Sequence, residues 1–233
     1  MTEQELREQI CLIGQLMHRG HYIDGKAGNI SARLDQKRIL ITPSGLAKGF
    51  MSPEQLLIVD LEGTPIEGAS NQTSMRPSTE LRMHLECYRQ RPDVGGVVHA
   101  HPVTAIALTI AGLNFTECLI PESVVLLGAV PILAYATPGS DENLEVVGKA
   151  IQDNDVLMLS HHGSLTVAKT VWDAYLLLET LEHDACIISK VQELGGVKVI
   201  LDSSHIEKLL AVRERLGLLK FGDREIFLKT KVN

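Results

Sequence analysis

The sequence predicts a single α/β domain in which helices cover a mixed, largely antiparallel sheet. Two observations carry this reading. Segments with helical apolar spacing are interleaved with short runs rich in Val, Ile and Leu, and several of those runs follow one another directly. Neighbouring strands of that kind disfavour strict βαβ winding. In addition, no internal repeat, low-complexity tract or Pro/Ser-rich linker interrupts residues 1–233, a length sufficient for one substantial core.

In chain order, residues 3–19 place Leu6, Ile10, Ile13 and Leu16/Met17 on one stripe at i, i+3/i+4 spacing, the mark of an amphipathic helix that Gly20 then stops. Short β-like runs follow at 29–34, 38–42 and 57–61, punctuated by Gly and Pro. Ser78 or Thr79 is suited to cap a helix reaching about Arg91. A compact β-type run at 94–99 ends on a histidine, and the apolar stretch 103–111 reads as a buried helix. Runs at 129–134 and 156–160 read as strands, with a helix between them seeded near Ser140 and Asp141. A strand at 164–168 leads into a long helix at 170–190, and a last helix starts near Ser203 or Ser204.

Lys+Arg of 22 against Asp+Glu of 29 gives a net charge of -7 without long runs of one sign. Nucleic acids and anionic membranes need clustered basic residues, so neither is an expected partner. A small anionic substrate stays compatible, because a metal or oriented backbone N–H groups can reverse the sign locally. Cys11, Cys87, Cys118 and Cys186 are widely spaced without a CxxC pair and read as reduced core thiols. The acidic, polar N-terminal residues do not form a signal peptide. The uncharged stretch 94–116 is broken by Gly95, Gly96, His99, His101 and Pro102, leaving an apolar part of about eleven residues, the length of a buried helix. A cytoplasmic protein is expected.

The strongest chemical feature is His99-Ala100-His101-Pro102. On extended backbone, side chains at i and i+2 point the same way, so both imidazoles can meet one ion. A catalytic zinc usually takes a third protein ligand. His161-His162-Gly163, at the end of another strand-like run, can supply it from either histidine. Alternatively, an HxH pair is simply a hydrogen-bonded feature of a core edge. Pro77-Ser78-Thr79-Glu80 sets a carboxylate in the first turn of a predicted helix. It reads as an ordinary helix start that also offers N–H groups and hydroxyls to an anion. Gly28-Asn29-Ile30-Ser31 and Thr42-Pro43-Ser44-Gly45 are donor-rich turns whose backbone can approach an oxyanion closely. Taken singly, each is an ordinary hairpin turn.

Together and in this order, these five segments resemble the class II aldolase/adducin family, over roughly residues 5–190. The likeness is greatest to its fuculose-phosphate aldolase branch. The resemblance implies α/β/α layers around a central, mainly antiparallel sheet, and a homotetramer with sites at subunit interfaces. It implies that His99, His101 and His162 hold Zn2+, with Co2+, Mn2+ or Fe2+ as substitutes. The family ligand directly precedes the glycine, which selects His162 over His161. Glu80 matches the acid/base carboxylate, which also ligates the metal when substrate is absent. Gly28, Asn29, Ser44, Gly45, Ser78 and Thr79 match positions that hold a substrate phosphate. The implied reaction is cleavage of a ketose 1-phosphate to dihydroxyacetone phosphate and an aldehyde.

Two tyrosines of that branch have no counterpart. None lies between Leu119 and Gly128, where the branch supplies a proton donor, and the tail after Ser203 has only Phe221 and Phe227 as aromatics. The aldehyde half of the substrate is therefore left open. The same scaffold also serves epimerases, dehydratases and decarboxylases; Glu80 stands where the epimerases have aspartate. Adducin-like interaction domains lack the histidine ligands that this chain retains.

Overall fold

The computed structural model describes residues 1–66, 75–115 and 118–229. Its centre is a seven-stranded sheet in the order β3-β2-β1-β4-β7-β6-β5. The strands are β1 (Asn29–Arg33), β2 (Arg38–Ile41), β3 (Leu57–Asp60), β4 (Gly96–Ala100), β5 (Ile132–Leu133), β6 (Val156–Leu159) and β7 (Gly163–Ala168). Every pairing is antiparallel except that of β5 with β6. The expected α/β fold with a mainly antiparallel sheet is what the chain adopts.

Seven α-helices are described: α1 (Glu3–Arg19), α2 (Leu81–Gln90), α3 (Val103–Ile110), α4 (Asp141–Ala150), α5 (Val171–Glu193), α6 (Ser203–Arg215) and α7 (Asp223–Lys229). Alternation along the strands gives the sheet two apolar faces. On one, Ile30, Ala32, Leu40 and Val98 pack with Ile10, Ile13 and Met17 of α1 and Ala174 and Leu178 of α5. On the other, Ile39, Ile41, Val97, Leu165 and Val167 pack with Met83 and Cys87 of α2 and Val147 of α4. The result is helix, sheet and helix in layers.

Helix α1 begins at a capping box in which the Thr2 hydroxyl accepts from Glu5 N and the Glu5 carboxylate accepts from Thr2 N. Ser140 caps α4 and Thr170 caps α5 in the same side-chain manner.

Several expectations need correction. Neither Ser78 nor Thr79 caps α2; Glu80 occupies the cap position without a capping side-chain bond. The reason is tertiary: Ser78 N donates to Thr42 O at 3.3 Å and Pro77 bridges Pro43, which holds Ser78 against the preceding loop, two residues before the cap position. The apolar run of α3 buries only Ala105 and Leu108, while Val103 and Ile110 are 65% and 58% exposed. The strand expected over 129–134 shrinks to Ile132–Leu133. Cys186 is exposed; the other three thiols are buried. No described helix is long and apolar enough to cross a membrane.

Candidate active site

The site lies where the start of β1, the end of β4 and the start of β7 meet. Register sets Asn29 of β1 opposite His99 of β4, and His99 opposite Leu165 of β7. His101 follows β4 directly, and His162 directly precedes β7, so adjacent strands deliver three imidazoles to one point. Their ligand nitrogens all lie within 4.8 Å of one another. His99 Nε2 is 3.1 Å from His101 Nε2, and the ring centroids of His99 and His162 are 4.7 Å apart.

His162, not His161, joins this cluster. His161 takes a left-handed φ of 57°, and its ring sits edge-on to Tyr135 with centroids 6.5 Å apart. The glycine that follows is required by packing. A Cβ on Gly163 would collide with the Ala100 carbonyl oxygen and come within 2.8 Å of the His101 ring.

The His99 Nδ1 lies 2.8 Å from the Ser164 carbonyl oxygen, which can only accept. Nδ1 therefore carries the proton and the Nε2 lone pair faces the cluster, the arrangement that commonly orients a metal-bound histidine. Burial, reinforced by the neighbouring His99 charge, pushes His101 and His162 down to about 4. Both rings are thus neutral at neutral pH. The Nδ1 of His162 is buried without a hydrogen-bond partner among the described residues.

Glu80 closes the group. Its Oε2 is 3.2 Å from His99 Nε2 and its Oε1 is 3.4 Å from His162 Nε2. Burial alone would raise its pKa. A proton on the His99 ring, where it is present, and the Asn29 amide outweigh burial and hold the carboxyl well below the usual carboxylate range. Three imidazoles with converging nitrogens, one already fixed in the right tautomer, beside an ionised carboxylate form a donor set that suits zinc or a similar divalent ion.

The three donor-rich loops come together beside this group. Thr42 N donates to Ile30 O at 3.0 Å, Ile30 N to the Thr42 hydroxyl at 3.2 Å, and Ser44 N to Arg76 O at 2.8 Å. With the Pro43–Pro77 bridge, these bonds join residues 28–31, 42–45 and 76–80 into one rim. Gly28 has a φ of +71°, and a Cβ there would lie 2.5 Å from Ile23 Cγ2 and 3.0 Å from His99 O, so only glycine fits against the histidine strand. Ser44, Gly45 and Thr79 are exposed, whereas Ser78 is buried with its hydroxyl accepting from Glu80 N at 3.2 Å. Asn29 is buried and turns its side chain to Glu80, donating from Nδ2 to Oε2 at 2.8 Å.

Two features escaped the sequence reading. Lys48 is 3% exposed, and its Nζ donates to Lys26 O at 2.7 Å, tying down the loop that precedes Gly28. Burial lowers its pKa while the Glu80 charge opposes that shift. His84 is fully buried and hydrogen-bonded to Asn29 and Ser31. The i, i+4, i+8 spacing of Glu80, His84 and Tyr88 was the signal for it.

The family described as Class II Aldolase and Adducin N-terminal domain matches residues 8–188. The chain belongs to the class II aldolase and adducin family. It is 34% identical over 178 residues to an L-fuculose phosphate aldolase of Methanococcus vannielii, covering 76% of this chain and 92% of the relative. It is 32% identical to a 5-methylthioribulose-1-phosphate/5-deoxyribulose-1-phosphate aldolase of Escherichia coli, covering 82% of this chain and 93% of the relative. Among solved structures, YgbL of Klebsiella pneumoniae, described as an aldolase/epimerase/decarboxylase, superposes with a TM-score of 0.79 at 30% identity. That superposition covers 90% of this chain and 99% of YgbL.

Proposed function

We propose that this chain is a zinc-dependent lyase that cleaves a ketose 1-phosphate to dihydroxyacetone phosphate and an aldehyde. The observation that carries the proposal is the placement of Glu80, whose two carboxylate oxygens face His99 and His162 while its backbone continues the donor-rich rim. His99, His101 and His162 would hold the ion, with Glu80 completing the set when substrate is absent. A bound zinc ion supplies Lewis acidity to the substrate oxygens beside the carbon–carbon bond that breaks.

The chain's own residues account for the rest. Gly28, Asn29, Ser44, Gly45, Ser78 and Thr79 form the anion-binding rim, and fixing the phosphate there makes the encounter of the substrate with Glu80 intramolecular. Glu80, ionised at neutral pH, moves a proton between substrate oxygen and carbon. The aldehyde half is unassigned by these residues, because nothing among them replaces the tyrosine donor of the fuculose-phosphate branch. Assembly into a homotetramer with sites at subunit interfaces would cover apolar side chains such as Val103 and Ile110, which one chain leaves exposed.

A second reading keeps the rim and the histidines but changes the reaction to decarboxylation or epimerisation of a sugar phosphate, a reading favoured by the likeness to YgbL. A panel of ketose 1-phosphates assayed for dihydroxyacetone phosphate separates the two. Release from at least one five- or six-carbon member is expected. Absence of release across the panel, with turnover of a sugar-acid phosphate instead, would shift the assignment to the second reaction.

A further inference from the structure

Behind Glu80 runs a line of buried polar groups of which the proposed reaction uses only Asn29. Helix α2 carries His84 four residues after Glu80 and Tyr88 four after that, so the three share one helical face. Strand β1 sets Asn29 and Ser31, two residues apart, on the face beneath them. Four of these five side chains are nearly or wholly inaccessible: Asn29 is 3% exposed, Ser31 0%, His84 0% and Tyr88 2%. They form one chain of hydrogen bonds. Asn29 Nδ2 meets Glu80 Oε2 at 2.8 Å, Asn29 Oδ1 meets His84 Nε2, His84 Nδ1 meets Ser31 Oγ at 2.6 Å, and Ser31 Oγ meets Tyr88 OH at 2.8 Å.

One assignment of protons satisfies every member. An ionised Glu80 only accepts, so Asn29 must turn its NH2 toward it and its carbonyl toward His84. That carbonyl requires a proton on His84 Nε2. The neutral ring then accepts at Nδ1, which takes the Ser31 hydroxyl proton, and Ser31 in turn accepts from Tyr88. Neutrality of the ring follows from complete burial, which pushes His84 down to about 3. Every donor in the line points toward Glu80, and such chains polarise their members in concert.

We propose that His84 is a positioning residue for Glu80: its Nε2–H fixes the Asn29 amide so that an N–H, and not the carbonyl, faces the carboxylate. With the amide reversed, Oδ1 would lie against Glu80 and repel it. Fixed as it is, Asn29 keeps its second Nδ2–H as the one side-chain donor it can offer a substrate phosphate. The line thereby couples the two halves of the site. This inference rests on the reading of Glu80 as the catalytic carboxylate.

The test compares His84→Gln with His84→Met in the full-length, zinc-loaded protein. The two replacements have similar length, and only the glutamine restores an N–H near the place of Nε2. His84→Met is expected to lower kcat roughly 10–100-fold, the scale of a misplaced catalytic group, and to raise KM for the phosphorylated substrate as the Asn29 donor is lost, with zinc content unchanged. His84→Gln is expected to recover most of that loss. Equal kcat in wild type and His84→Met, or equal losses in both variants, would overturn the proposal. A second measurement needs no activity. Histidine-selective 15N NMR of the zinc-loaded wild type, with the His84 signals assigned by their loss in His84→Gln, should show the Nε2–H tautomer at neutral pH. An Nδ1–H tautomer or an imidazolium would overturn it. Should no sugar phosphate be turned over by the wild type, the functional reading falls, and the tautomer still decides the hydrogen-bond line on its own.

Discussion

Replacing Glu80 by glutamine removes one charge and almost no volume, and the surroundings show what should follow. The Glu80 carboxylate accepts from Asn29 Nδ2 at 2.8 Å and stands 3.4 Å from His162 Nε2. A glutamine can keep the first contact through its carbonyl oxygen and present its NH2 to the neutral His162 ring. The loss to the fold is then one charge-assisted bond exchanged for a neutral one, about 1 kcal/mol. The loss to the reaction is larger, because an amide cannot take up a proton. General acid–base catalysis of this kind contributes roughly 10²–10⁴-fold, or about 3–5 kcal/mol of barrier. The three histidines remain, so the variant should still bind one zinc per chain. The assay is dihydroxyacetone phosphate release beside metal analysis and a melting curve on the same preparation. A variant that retains turnover within about threefold of wild type, with metal and fold intact, would refute the catalytic role of Glu80.

Other predictions concern the frame around that carboxylate. His162→Ala should lose both metal and activity, whereas unchanged metal content would point to His161. In Gly163→Ala, the added Cβ meets the Ala100 carbonyl oxygen and the His101 ring; a destabilisation of about 1–3 kcal/mol and weaker zinc binding should appear in melting and metal titration, and wild-type values for both would contradict the packing argument. His84 gives a pH dependence. Folded, it resists protonation down to about 3, whereas the unfolded residue takes a proton near 6.5. The unfolded state therefore binds the extra proton below that value, and stability falls as pH falls. From pH 6.5 to 5 the loss is about 1.6 kcal/mol, or roughly 3–7 °C in Tm for a chain of this size. His101 and His162, held at about 4, add slopes of the same sign in chelator-treated protein, so His84→Gln should lessen the slope of thermal melts against pH by roughly a third; a slope unaffected by that substitution would remove His84 as a source.

What the sequence disclosed depended on how local each signal is. Helix α1 was legible to the residue, because a stripe of apolar positions and a closing glycine lie within one segment. The histidine cluster was legible for a related reason: HxH and HHG each sit at a strand end, and strand ends of one sheet are brought side by side. The start of α2 was not, because the bond that takes Ser78 away from the cap comes from Thr42, 36 residues upstream. The exposure of α3 was hidden because an apolar run reports hydrophobicity, not the surface that covers it. Helix α7, seven residues long, is too short to show a period. The line through Asn29, Ser31, His84 and Tyr88 was missed because every member looks ordinary within its own element. Only the packing of α2 across β1 makes a network of them.

The proposed lyase reaction depends on a metal that His99, His101 and His162 would hold. The most direct measurement is dihydroxyacetone phosphate release from the best ketose 1-phosphate, followed while metal is stripped by a chelator and then restored by zinc. The account predicts that release falls to background as the metal leaves and returns in proportion to zinc bound per chain, with no recovery in His162→Ala. Release that persists in the stripped protein, or that returns equally in His162→Ala, would contradict it.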